Sequence, residues 1–149
     1  KLKIQSCREK RRNSTAVTKK PVKVKEEISA KKFLWPLEKV SKFRKDGTEE
    51  VKSIGIFITG APNSDVIASG DGKVEKIGYM RGYGRYIVVK HDNRFVTVYS
   101  NLHKIYVREG EKVLRGGIIG CLSDDRTLHF QIGHAGKPQD PLKHLPERG

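Results

Sequence analysis

The sequence predicts an all-β fold, a sandwich or open barrel of antiparallel sheets with little helix. Three observations carry that expectation. Short runs rich in β-branched and aromatic residues recur at close spacing after residue 70. Turn-forming pairs of Gly, Asp and Asn separate them. No stretch shows the 3.6-residue apolar period of a helix of about ten residues or more.

The elements follow in order. Val74–Ile77 reads as a strand launched by Gly70-Asp71-Gly72. Arg81-Gly82-Tyr83-Gly84 is a turn leading into a strand over Tyr86–His91. His91-Asp92-Asn93-Arg94 reads as a tight hairpin into Phe95–Ser100, and an exposed His91 is the ordinary expectation there. Ile105–Val107 is a further short strand, closed by Arg108-Glu109-Gly110. Ile118–Leu122 and Leu128–Ile132 flank the Asp124-Asp125 turn. Strands this short and this regularly spaced imply a closed or layered β architecture. No 20–50-residue repeat is present.

Charge divides the chain. Residues 1–32 hold 12 Lys or Arg against 3 Asp or Glu, whereas all 15 glycines lie at or after Gly47. The first segment has few large apolar side chains and reads as a basic flexible linker, unable to offset the entropy of ordering. Residues 33–149 read as one domain, long enough to remove about 60–70% of the unfolded surface from water. A basic tail suits anionic partners, but no aromatic residue is interleaved with Arg8, Arg11 or Arg12. There is thus no stacking platform for single strands, and a nucleic-acid partner rests on charge alone. No apolar run approaches a membrane span. The start at Lys1, without an n-region or h-region, reads as a fragment whose signal sequence lies outside it. Cys7 and Cys121 match no zinc-knuckle or C-x-x-C spacing.

Five pieces in fixed order carry a family resemblance. They are Phe33-Leu34-Trp35-Pro36-Leu37, Gly55-Ile56-Phe57-Ile58-Thr59-Gly60-Ala61-Pro62, the run Val66 to Val74, the run Tyr83 to His91, and a long run from Val96 through Val113 that ends at Thr127-Leu128-His129-Phe130 and Asp140-Pro141. Together they resemble the lysostaphin-type, or LytM-like, zinc metallopeptidase domain. The resemblance covers roughly residues 33–146 and implies that family's duplicated hybrid β motif with a substrate groove. These enzymes cut peptide cross-links in bacterial peptidoglycan.

The resemblance also implies positions for the chemistry. A catalytic zinc takes three protein ligands and an open position for water. The family's first His and its Asp fall on Ser53 and Phe57, and the second His of its His-x-His falls on His129. Its two water-activating histidines fall on Asn101 and Thr127. One ligand is kept and four functional positions are lost, which implies a non-catalytic domain with no metal and no cofactor. Phe57 then reads as groove or core filler, and His129 as a half-buried strand histidine. The expected groove is a mainly apolar floor around Phe57, lined by Ser53, Tyr83, Asn101, Thr127 and His129, with Leu128 and Phe130 alternating away from His129. A rearranged metal site would have to use His103 or His134, and His134 and His144 read as loop residues.

Degenerate members of the family serve in cell-envelope assembly and division. The leading implication is therefore activation or regulation of a peptidoglycan amidase through the groove, in the periplasm or cell envelope. Alternatives are a passive peptidoglycan-binding module and a zinc endopeptidase with a relocated site. A biotinyl- or lipoyl-type carrier would need an acceptor lysine at a hairpin tip beside Met or Asp-Ala, and none is present. Lys1-Leu2-Lys3-Ile4 resembles the closing strand of a LysM module, which would place such a module upstream.

Deleting residues 1–30 should leave the thermal midpoint almost unchanged, because the segment has little to bury. The same deletion should weaken adsorption to anionic polymers, by an amount that shrinks as salt screens the charge. A fall of many degrees in the melting curve would move the domain boundary upstream.

Overall fold

The computed structural model describes residues 33–47 and 54–146. Residues 1–32, with the linker and LysM expectations, and Ser53 lie outside them. Ten strands form one branched antiparallel sheet: β1 (Lys42–Lys45), β2 (Ile56–Thr59), β3 (Asp65–Ile67), β4 (Gly72–Met80), β5 (Gly84–Lys90), β6 (Phe95–Ile105), β7 (Lys112–Val113), β8 (Ile118–Leu122), β9 (Thr127–His134) and β10 (Lys137–Gln139). The main path runs β1-β2-β9-β6-β5-β4-β7, with β10 added to β9 and the β3–β8 pair added to β6. Among the described residues the helical turns are two short 3-10 segments, Asp92–Arg94 and Pro141–Lys143. The all-β expectation holds.

Several strands run longer than their sequence patterns. The Ile105–Val107 run is not a separate strand: β6 extends to Ile105, and Tyr106 continues the pairing by donating its N–H to the Ile119 carbonyl at 2.9 Å. β1 was invisible to alternation because Lys42-Phe43-Arg44-Lys45 is exposed throughout. Its charges suit an edge strand, where they discourage pairing with another chain.

The branching positions the candidate site. β9 is paired along one edge by β6, from Phe95↔His134 to Ser100↔His129. Its other edge is shared, by β2 at Thr127–Phe130 and by β10 at Ile132–His134. β6 in turn leaves β9 after Ser100 and joins β8 from Leu102. Asn101 is the residue at that change of partner, with φ 72°. Asparagine tolerates this left-handed conformation better than most residues.

The core lies beneath the sheet and is closed by the two ends of the domain. Ile56, Ile58, Ile87, Tyr99, Leu128, Phe130 and Ile132 meet there fully buried, with Tyr99 and Phe130 rings 5.4 Å apart. Phe33, Trp35 and Leu37 strap across it, and the Trp35 indole N–H donates to the Pro146 carbonyl at 2.6 Å. Burying these side chains contributes on the order of 1.5–3 kcal/mol each.

A polar chain crosses this core. The imidazole of His91 donates from Nδ1 to the Asp71 carbonyl at 2.6 Å, and its Nε2 lies 2.8 Å from the Thr97 hydroxyl. That hydroxyl is bonded to the Tyr99 phenol at 2.8 Å, which also accepts the Ser69 N–H at 2.9 Å. Burial pushes the phenol above its ordinary 10.0, against the opposing hydrogen bonds of Thr97 and Ser69, so Tyr99 stays neutral. His91 is therefore not the exposed hairpin residue its position suggests. It is buried, with Phe33 set edge-on at 5.1 Å. A Cβ at Gly72 would collide with the Lys90 carbonyl and sit 3.0 Å from His91 Nδ1, so glycine is required where β4 starts.

Tyr99→Phe should cost about 1–3 kcal/mol, because it strands a buried N–H and a buried hydroxyl while sparing the ring packing. Urea unfolding monitored by Trp35 fluorescence reads this directly. A loss below about 0.5 kcal/mol would mean that the chain of hydrogen bonds carries little of the stability.

Candidate functional site

Strand alternation assigns the residues of the groove. Phe57, His129 and Ser100 are opposite one another on β2, β9 and β6, so they share one face. Leu128 and Phe130 point the other way, into the core. They back the groove and do not floor it.

His129 is fully buried, deeper than the half-buried state expected. Leu128, His129 and Phe130 are three consecutive buried residues, so β9 is covered on both faces here. Phe57 from β2 and Tyr83 from the β4–β5 turn cover the imidazole, each with its ring centroid 4.7 Å away. The Arg44 guanidinium lies 4.6 Å from the Phe57 centroid, a cation–π contact that extends the stack towards β1.

The floor is not apolar. His129 donates from Nε2 to Asp46 Oδ2 at 2.7 Å, and that carboxylate is buried beside it. Asp46 follows β1, and its Oδ1 accepts the Ile54 N–H at 2.9 Å. The Asp46 N–H donates to the Gly55 carbonyl, which prolongs the β1–β2 pairing and sets the carboxylate on the groove face. Gly55 makes the approach possible: a Cβ there would lie 2.6 Å from the Phe130 carbonyl and 3.3 Å from His129 Nε2. His129 Nδ1 and Ser100 Oγ, cross-strand neighbours, are buried without hydrogen-bond partners among the described residues.

Asn101 and Thr127 come together at the groove's end. The Asn101 amide donates to the Thr127 carbonyl at 2.7 Å and to Asp125 Oδ2 at 3.0 Å. Asp125 Oδ1 accepts from the Ser123 hydroxyl at 3.0 Å and from the Thr127 N–H at 3.2 Å. Partial burial raises the Asp125 carboxyl, but these donors outweigh it and hold it below the ordinary 3.8. Asn101 therefore ties β6 to the β8–β9 turn.

The donor set of the described residues does not fit zinc. A zinc site of this kind needs three protein ligands. Here His129 and Asp46 are bonded to each other, and Phe57 presents a ring with no lone pair. Among the described residues no group of three His, Cys, Asp or Glu converges. His134 ends β9 five residues from His129, on the opposite face, and stacks on Phe95 at 4.4 Å, with His144 against the same ring at 5.5 Å. The Arg85 guanidinium donates to the His103 carbonyl at 2.6 Å, an anchor on that residue's backbone and not on its imidazole.

Residues 51–141 match the model of peptidase family M23. The chain belongs to that family. A lipoprotein NlpD/LppB homologue of Pseudomonas aeruginosa is 40% identical over 99 residues, covering 63% of this chain and 33% of the relative. The murein hydrolase activator NlpD of Escherichia coli K12 is 36% identical over 107 residues, covering 68% of this chain and 28% of that protein. The chain thus spans about a third of the length of these curated relatives. A zinc-containing peptidase from Vibrio cholerae superposes with a TM-score of 0.63 at 27% identity, covering 75% of this chain and 40% of that one. An M23 domain thus holds a carboxylate–imidazole pair under two aromatic rings in its groove.

The sequence reading missed Asp46, which is 83 residues from His129 in the chain. Before Gly47 it looks like a turn former, and no motif marks it. Arg44 and Asp125 were missed for the same reason, since both act through contacts across strands. Trp35 and Tyr99 are core residues, and Tyr79 is 74% exposed on the β4–β5 hairpin.

The lowered Asp125 carboxyl sets a pH dependence. Its hydrogen bonds stabilise the fold fully above the unfolded value near 3.8, and that contribution fades as pH falls through the lower folded value. Asp125→Asn should therefore flatten the fall in thermal midpoint below about pH 4 relative to the parent chain. Equal acid slopes in the two melting series would show that Asp125 is not a contributor.

Proposed function

We propose that this chain is a non-catalytic M23 domain that activates or regulates a peptidoglycan amidase through its groove, in the bacterial cell envelope. The observation that carries the reading is the Asp46–His129 hydrogen bond beneath Phe57 and Tyr83. Metal hydrolysis needs an open Lewis-acid position and an activated water. Here the retained histidine is satisfied by a carboxylate from its own chain, and an aromatic ring stands at a ligand position. The positions that would activate water carry Asn101 and Thr127, and the Asn101 amide is spent on holding a turn.

Similarity to a murein hydrolase activator supports the same reading. The lipoprotein relative supports an envelope location, with the periplasm as the compartment. The groove suits a protein segment with a few apolar anchors. Phe57, Tyr83 and the exposed Tyr79 and Met80 of the β4–β5 hairpin offer aromatic and aliphatic surface, and Asn101 and Thr127 a polar end. A passive wall-binding module is the competing reading, favoured by the excess of basic residues.

Phe57→Asp should abolish stimulation of the partner amidase while the domain stays folded and hydrolytically inert. It removes the ring that covers His129 and supplies only one further ligand. Dye-release from labelled peptidoglycan, with and without amidase, gives both readouts. Unchanged stimulation by Phe57→Asp and Asn101→Ala, with stimulation lost on deleting residues 1–30, would reassign the interaction to the tail. Hydrolysis by the domain alone would refute the non-catalytic assignment.

A further inference from the structure

Cys121 does not carry a free thiol. Its Sγ is engaged in a disulfide, and the residue is fully buried in β8. β8 branches from the main path of the sheet, with Cys121 opposite Asp65 of β3 on one side and Lys104 of β6 on the other. The Tyr106 hydroxyl donates to the same sulfur at 3.4 Å. The sequence holds two cysteines, so a bond within the chain has one candidate partner, Cys7. Cys7 itself lies outside the described residues.

We propose that Cys7 and Cys121 form a disulfide that pins the basic N-terminal segment to β8 and makes the reach of that segment redox-dependent. Chain length allows it. The 25 residues between Cys7 and Phe33 span up to about 80–90 Å when extended. A domain of this size has a radius of gyration of only about 13 Å, so the segment can return from Phe33 to β8 without being stretched. Local charge favours the reaction. Arg8, Lys10, Arg11 and Arg12 follow Cys7 closely, and neighbouring cations favour the thiolate, the form that attacks a disulfide.

Formation joins the two sulfurs, releases two protons and passes two electrons to a disulfide-bearing oxidant, which becomes a dithiol. An oxidising compartment such as the periplasm sustains the bond. Its effect on stability is small. It removes loop entropy from the unfolded chain, but the folded chain must then close the linker loop as well, which offsets part of the gain. The effect is one of position. Arg8, Arg11 and Arg12 are held beside β8 in the oxidised chain and gain the whole length of the linker on reduction. The bond is independent of the groove reading and stands whether or not an amidase is the partner.

The test is disulfide mapping of the full chain after equilibration with oxidised and reduced glutathione and blocking of free thiols. Trypsin should release residues 4–8 linked to residues 116–126, and reduction should separate them. The intact mass should rise by that of two hydrogen atoms on reduction. Small-angle X-ray scattering should show a larger radius of gyration for the reduced chain. Cys7→Ser should match the reduced parent with or without reductant, and it changes no residue of the folded domain. Blocked thiols on both cysteines before reduction, glutathione on either one alone, or a reducible dimer joined through Cys121 would overturn the pairing. Linked peptides with an unchanged radius of gyration in the two redox states would overturn the control of reach.

Discussion

β9 is the strand on which the rest of the molecule depends, because it is paired along both of its edges. β6 occupies one edge, and β2 and β10 divide the other. Unpaired backbone groups at such depth are costly, so the chain must deliver partners from three distant segments. That requirement fixes where β2 ends, where β10 begins and why β6 must leave for β8 at Asn101. The candidate site lies on one face of this junction.

In the groove a buried histidine is satisfied by a carboxylate of its own chain. Burying an isolated carboxylate or imidazole is unfavourable, but the two together form a short charge-assisted hydrogen bond. Asp46 reaches His129 because Gly55 leaves room and because the β1–β2 pairing is prolonged as far as Asp46. Phe57 and Tyr83 then exclude water from the pair. The remaining orphan atoms, His129 Nδ1 and Ser100 Oγ, share the same face.

Two polar systems thus flank one sheet, and their chemistry differs. The His91–Thr97–Tyr99 chain is closed, with its ring nitrogens and both hydroxyls engaged inside the core. It rigidifies the junction of β4, β5 and β6. The Asp46–His129 pair is open only in its bonding, with His129 Nδ1 unbonded among the described residues beneath rings that belong to a hairpin turn and a strand near the edge. Opening the closed chain would break hydrogen bonds that nothing replaces, whereas displacing Tyr83 from the open system breaks a ring contact.

The sequence by itself determined the all-β class, the bounds Ile118–Leu122, the turn at 91–94 and the M23 resemblance. Each is local: β-branched alternation, turn chemistry at Asn93, or an ordered set of short motifs. Phe57 against His129 was also legible, since motif order placed both in the groove. Only the tertiary structure decided that His91 is buried, that Asp46 pairs with His129 and that Lys42–Lys45 is a strand. His91 sits at a hairpin, and local pattern predicts exposure there; its burial depends on Phe33, at the far end of the domain. Asp46 and His129 meet across 83 residues, a pairing set by how β1, β2 and β9 register. Lys42–Lys45 shows no alternation because a wholly exposed edge strand has no buried face to impose one. Hydrogen bonds to β2, and not side-chain periodicity, make it a strand.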